Sequence, residues 1–177
     1  MLDGLLGDAE AQAVRAAALI LDEAGELLPA RVGACRRRVP GTRGDRTLWL
    51  DGGYADRALD AVVELMEASR AVLNEFAFLG AGELEVQLAV YDQGNGYVRH
   101  RDTVRGRSDR RLTAIYYAND WRPGDGGELA LYDAGGACTQ VIEPIADRLV
   151  LFLAQTPHAV LPVARGPRVA VTAFMRR

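Results

Sequence analysis

The chain contains no lysine: all 21 of its basic residues are arginine. That absence excludes Schiff-base catalysis and lysine-held phosphate sites, both of which need a primary amine. Cysteine is nearly absent as well. Cys35 and Cys138 are too few for a disulfide framework and form no CxxC pair, so a reducing compartment is the simpler expectation and the protein is expected in the cytoplasm. Long apolar runs are also missing. The stretch "AAALIL" near the start is too short to cross a bilayer and has no basic segment before it, so neither a signal peptide nor a membrane helix is expected.

Neither sign of charge dominates. A formal net charge of −3 and a pI near 5.4 give no global electrostatic reason to expect nucleic acid or an anionic membrane as partner. There is no internal repeat and no low-complexity segment. With 177 residues, 49% of them hydrophobic, the chain is long enough for one domain with its own core and too short for two comfortable ones. A single domain over 1–177 and a monomer are expected.

What is present changes character once along the chain. Residues 9–28 and 55–78 carry apolar side chains at helical spacing, for example Ala61, Val62, Leu65 and Met66, with acids and arginines between them. From 84 onward the pattern becomes eight short β runs ("LEVQLAVY", "GYVRH", "RLTAIYYA", "GELALYD", "CTQVIEP", "RLVLFLA", "HAVLPV", "RVAVTAFM"). Asn-Gly, Pro-Gly-Asp-Gly-Gly and Ala-Gly-Gly turns break them. The expected class is therefore mainly β (α+β). N-terminal helices within 1–80 should support a barrel or double-sheet jelly roll over 84–176, rather than βαβ units.

Only two histidines occur, and one stands in "YDQGNGYVRHRDTV". In a strand, His100 and Asp102 face one side while Arg99 and Arg101 face the other. Two ligands leave a metal half-coordinated. His158, opening the run "HAVLPV", is the one candidate for a third, and two imidazoles with one carboxylate form the face that holds Fe(II) with open positions for oxygen and a cosubstrate. Spacing alone decides little. Acids are 24 of 177 residues, so the position two after a histidine is acidic by chance about once in seven, and an isolated histidine is commonly an ordinary hydrogen-bonded residue. A further clue is Arg168, one strand after His158. An arginine buried in a barrel needs an anion, and a dicarboxylate chelating the metal with its oxo-acid end would present its far carboxylate there.

The ordered set "RGDRTLWLDG", "YDQGNGYVRHRD", "LTAIYYAND", "GGELALY", "IEPIADRLVLF" and "PHAVLPVARGPRVAVTAF", spread over 43–174, resembles the iron(II)/2-oxoglutarate-dependent dioxygenases. Within them it is similar to the prolyl-hydroxylase-domain family, which includes the animal oxygen sensors and bacterial relatives. The resemblance implies a double-stranded β-helix in which His100, Asp102 and His158 bind Fe(II). Arg168 and Tyr117 would hold 2-oxoglutarate at its distal carboxylate, and Tyr91 would bond it near the metal. O2 is the other cosubstrate and ascorbate the reductant. Thr113 and Thr172 are pocket candidates, although β-branched residues suit strands anyway. For Tyr116 and Tyr132 an ordinary amphipathic packing role is expected. One departure from the family is Ala159, where many relatives carry an acid.

The resemblance also places 41–54 as a flap over the site, with Arg43, Asp45 and Trp49 on it and Asp45 paired to Arg110. A surface hairpin fits the same residues. Three functions follow. The first is a protein prolyl hydroxylase acting on an exposed prolyl loop, as in a translation elongation factor. The second is a small-molecule hydroxylase of free proline or a peptide metabolite. The third is a cupin-like ligand sensor, against which Arg168 argues. The arginine-rich signature of related nucleic-acid demethylases is absent.

Overall fold

A computed structural model describes residues 1–30, 41–50, 56–103 and 109–177. In chain order the elements are β1 (Leu2–Asp3), α1 (Asp8–Glu23), β2 (Leu28–Pro29), β3 (Asp45–Trp49), α2 (Arg57–Ala77), β4 (Glu83–Asp92), β5 (Tyr97–His100), β6 (Arg110–Tyr117), β7 (Leu129–Tyr132), β8 (Cys138–Ile142), β9 (Arg148–Leu153), β10 (His158–Val160) and β11 (Pro167–Arg176). Both expected helices form. Helix α1 buries Ala11, Val14, Ala17 and Ala18 along one stripe, with Asp8 and Glu10 at its positive end. It ends before residue 28 because Gly25 turns the chain at φ 79° and Leu28–Pro29 then pairs with β3. In α2 the Asp56 carboxylate caps the amides of Ala58 and Leu59, and Leu59, Val62 and Met66 face inward.

All eight strand runs expected after residue 84 are present, four in each of two antiparallel sheets. The larger sheet has the order β1-β9-β6-β11-β4-β3-β2, and the smaller β5-β10-β7-β8. Alternation along each strand divides the interior in two. Leu88 and Val90 on β4, Ala114 and Tyr116 on β6, and Val169, Val171 and Ala173 on β11 pack against Val14, Ala18, Leu59, Val62 and Met66 of the helices. Their neighbours Ala89, Tyr91, Ile115, Tyr117 and Ala170 point the other way, toward the smaller sheet. The helices thus support one face of the larger sheet, and the polar site occupies the other. Cys138 is a free, exposed thiol; Cys35 lies outside the described residues.

The expected flap is different in kind. Asp45–Trp49 is an inner strand, paired with β4 from Asp45↔Tyr91 to Trp49↔Gln87 and with β2 on its other side, while 51–54 lie outside the described residues. The expected pairing of Asp45 with Arg110 does not occur. Asp45 is buried and takes both arms of Arg43, at 2.6 and 2.7 Å. Arg110 instead bonds Glu85 at 2.8 Å and lies 3.6 Å over the Phe174 ring. Register is the reason: Asp45 lies opposite Tyr91, six positions along β4 from Glu85, roughly 20 Å away at strand rise. Trp49 is 40% exposed, its ring 6.1 Å from Phe174.

Candidate active site

The β5–β10 ladder pairs His158 with His100, which brings residues 58 positions apart side by side with ring centroids 4.2 Å apart. Asp102 lies just past the end of β5. Its amide donates to Ala154 O at 3.0 Å, and the Thr113 hydroxyl donates to its Oδ2 at 2.6 Å, so the carboxylate is fixed from two sides. Each imidazole Nδ1 meets the carbonyl two residues earlier, His100 that of Val98 and His158 that of Thr156, both at 2.9 Å. A carbonyl only accepts, so Nδ1 carries the proton and Nε2 keeps its lone pair. Those Nε2 atoms lie 3.6 Å from Oδ1 and Oδ2 of Asp102, respectively. The three donor groups fall within 4.8 Å of one another, around one point.

The electrostatics suit a divalent cation. Burial holds His158 below the usual imidazole range, which keeps its lone pair free at neutral pH. For Asp102, burial works to raise the carboxyl, but contact with His100, the nearby His158 and the Thr113 hydroxyl together hold it below the ordinary range. Aromatic walls fix the rings: Tyr97 stacks on His100 at 3.5 Å and 15°, and Phe152 meets His158 edge-on at 4.8 Å. Arg43 lies 4.8 Å over Tyr97.

On the same interior face, Arg168 is 4% exposed and donates from Nε to Gly127 O at 2.7 Å. The Tyr91 and Tyr117 rings flank it, each 5.0 Å from the guanidinium carbon. Gly127 is needed here, since a Cβ would meet Arg168 Cδ at 2.9 Å. Among the described residues no carboxylate comes within 4.0 Å of Arg168, and the buried Tyr117 hydroxyl has no hydrogen-bond partner. A buried cation beside an unsatisfied hydroxyl is a site for an anion. Burial raises both Tyr91 and Tyr117, Arg168 opposing in each case, so both remain protonated donors at neutral pH. Thr113 and Tyr117 lie four residues apart on β6, so one strand runs roughly 13 Å from the Asp102 carboxylate to the buried cation.

A family model described as the 2OG-Fe(II) oxygenase superfamily matches residues 86–176, just over half of the chain. The chain belongs to that superfamily and is of the prolyl-hydroxylase type. It is 38% identical over 143 residues to a hypoxia-inducible factor prolyl hydroxylase of Caenorhabditis elegans, covering 73% of this chain and 19% of that protein. The chain therefore spans about a fifth of that relative. A crystal structure of a Pseudomonas putida prolyl-4-hydroxylase matches with TM-score 0.87 and 36% identity, over 99% of this chain and 91% of that one. A prolyl hydroxylase bound to a hypoxia-inducible factor oxygen degradation domain peptide fragment from Trichoplax adhaerens matches with TM-score 0.83 and 27% identity, over 99% and 81%.

The oxygenase thus has the jelly-roll fold, and its cofactors are Fe(II), 2-oxoglutarate and O2. The donor set fits that metal: two neutral imidazoles and an ionised carboxylate leave open positions on a common ion. Every residue expected at the metal and the anchor falls in this one interior. Thr113 has a more definite place than a pocket wall, as the hydrogen-bond donor to Asp102. Two residues went unread in the sequence. Tyr97 in "GYVRH" stacks on His100, and Asn119 in "YYAND" is buried in polar contacts behind Arg168. Arg99 covers the Tyr132 ring, Arg110 pairs with Glu85, and Arg105 and Arg107 lie outside the described residues. Among the described residues no helix is long and apolar enough to cross a membrane.

Proposed function

We propose that this oxygenase hydroxylates a prolyl residue of a polypeptide, acting in the cytoplasm as a monomer with ascorbate as reductant. In this reading His100, Asp102 and His158 bind Fe(II), Arg168 and Tyr117 take the distal carboxylate of 2-oxoglutarate, and Tyr91 contacts the cosubstrate from β4. When bound, the iron and 2-oxoglutarate supply an O2-dependent oxidative decarboxylation that releases succinate and CO2 and oxidises a substrate C–H to an alcohol. The chain's part is to hold, orient and exclude. Val98 and Thr156 carbonyls fix the tautomer that offers Nε2, Thr113 directs one carboxylate oxygen, and Arg168 sets how far the dicarboxylate reaches. Ala170, Val150 and Phe152 keep that interior apolar.

The observation that carries the reading is Arg168, a buried guanidinium with no carboxylate of its own among the described residues, in the same interior as the His100, Asp102 and His158 cluster. A simple metal-binding jelly roll has no use for that cation. The likeness to the Trichoplax adhaerens enzyme, which holds a peptide fragment, supports a polypeptide target. So does a groove of about 1030 Å³ beside Tyr97, the residue stacked on His100, with Arg43 and Arg99 on its walls. The test is incubation with Fe(II), 2-oxoglutarate and ascorbate against a translation elongation factor and against free proline. Expected is a gain of one oxygen atom on a prolyl residue of the protein, coupled to succinate. Oxidation of free proline alone would move the small-molecule reading ahead.

A further inference from the structure

Arg168 can anchor a carboxylate only if its backbone is held, and the strand ladder holds it from one side alone, where β4 pairs Arg168 with Tyr91. On the β6 side the pairing of β11 runs from Arg176 only as far as Ala170↔Tyr117. Beyond that point one side chain takes over. Asn119, 5% exposed, accepts from Val169 N at 2.6 Å and donates to Val169 O at 2.9 Å, so its amide stands where the next residue of β6 would pair. Its Nδ2 also donates to Pro144 O at 2.9 Å, and its Oδ1 accepts from Arg15 Nη1 at 3.2 Å. The same Arg15 nitrogen donates to Pro167 O at 3.2 Å.

We propose that Asn119 and Arg15 are positioning residues for the cosubstrate. They grip the chain on both sides of Arg168, Asn119 at Val169 and Arg15 at Pro167, and thereby join helix α1 to the cosubstrate anchor. The side-chain end is held separately, by Gly127 O on Nε, and Trp121 steadies that loop by donating to Gly126 O at 2.8 Å. Arg15, Asn119, Trp121, Gly126, Pro167 and Arg168 line a small cavity of about 140 Å³, so on that side the strand is held by polar contacts rather than by packed side chains. Two further consequences follow from the geometry. Neither residue approaches the metal-binding side chains, and neither touches the part of the cosubstrate that chelates. Loosening the grip therefore affects recognition of the far carboxylate and leaves the near end alone.

This inference rests on Arg168 binding the distal carboxylate, so the experiment includes Arg168→Met beside Asn119→Ala and Arg15→Met. Each protein is loaded with redox-inert Mn(II) and titrated calorimetrically with 2-oxoglutarate and with pyruvate, which keeps the chelating oxo-acid end and lacks the far carboxylate. Asn119→Ala should bind 2-oxoglutarate about tenfold and Arg15→Met about threefold more weakly, the loss of several and of one or two hydrogen bonds, respectively. Affinities for pyruvate and Mn(II) should stay within about twofold. If both acids weaken together, or neither does, the positioning role is overturned. If Arg168→Met itself leaves 2-oxoglutarate unchanged, the anchor assignment has failed instead. Should Asn119→Ala not fold, Arg15→Met on the helix surface decides alone by the same ratio.

Discussion

His100 and His158 are direct partners in an antiparallel ladder, so the backbone pairing of β5 with β10 sets the separation of the two imidazoles before any metal arrives. Their Nδ1 atoms are each satisfied by a carbonyl two residues back, and the site is preorganised at the level of tautomer as well as position.

That preorganisation makes each ligand necessary. His158→Ala and Asp102→Ala should abolish measurable Fe(II) retention and succinate formation, because two donors cannot hold the ion in a competent face. Thr113→Val should be milder, weakening Fe(II) by about 10–100-fold through loss of the hydroxyl that directs Asp102. Metal titration checks both, and near-normal turnover by His158→Ala would sink the assignment.

Tyr117→Phe should separate stability from cosubstrate binding. The hydroxyl is buried without a partner, so its removal should leave the protein without cosubstrate equally stable or up to about 1 kcal/mol more stable. Binding of 2-oxoglutarate should nevertheless fall by roughly fivefold, since a donor to the carboxylate is lost. Thermal melts with and without 2-oxoglutarate read both; a variant that is destabilised without ligand would mean the hydroxyl already has a partner.

Acid should loosen the metal-free protein in a defined direction. Burial lowers the His158 imidazole in the folded state, whereas the unfolded chain takes up its proton at about pH 6.5. The unfolded state then binds more protons, so this contribution is complete above about pH 6.5 and is lost as pH falls below it. Denaturant midpoints of the metal-free protein should fall between about pH 7.5 and pH 5.5, and His158→Gln should flatten that slope. Equal slopes for the two proteins would remove His158 as the cause.

Asp147 ties the N-terminal segment to the sheet. Its buried carboxylate accepts from the amides of Leu6 and Gly7, at 2.9 and 2.7 Å, and from the Tyr116 hydroxyl at 3.0 Å. Asp147→Ala leaves three donors without an acceptor and should cost roughly 3 kcal/mol, against about 1 kcal/mol for Tyr116→Phe. Urea midpoints give the two values, and equal losses would show that the segment is held by its other contacts.

Local periodicity and the candidate donor residues were legible before any folding was considered. Short β runs broken by glycine, proline and asparagine turns marked the eight strands after residue 84, and spacing near 3.6 marked both helices, because turn chemistry and side-chain direction are local properties of the backbone. Scarcity narrowed the candidates: with two histidines in the chain, His100 and His158 had no competitors, and β5–β10 pairing sets them side by side. Only the tertiary structure decided register, and with it every partnership across strands. Asp45 and Arg110 were matched by charge, yet β4 sets them at opposite ends of a strand and gives Asp45 to Arg43 and Arg110 to Glu85. Tyr97 on His100, Thr113 on Asp102 and Asn119 on Val169 are likewise contacts between residues whose local patterns say only strand or turn. A pattern of period two tells which face a residue occupies, but sliding one strand by two residues preserves that pattern while changing every neighbour; the packed core and the turns fix the register.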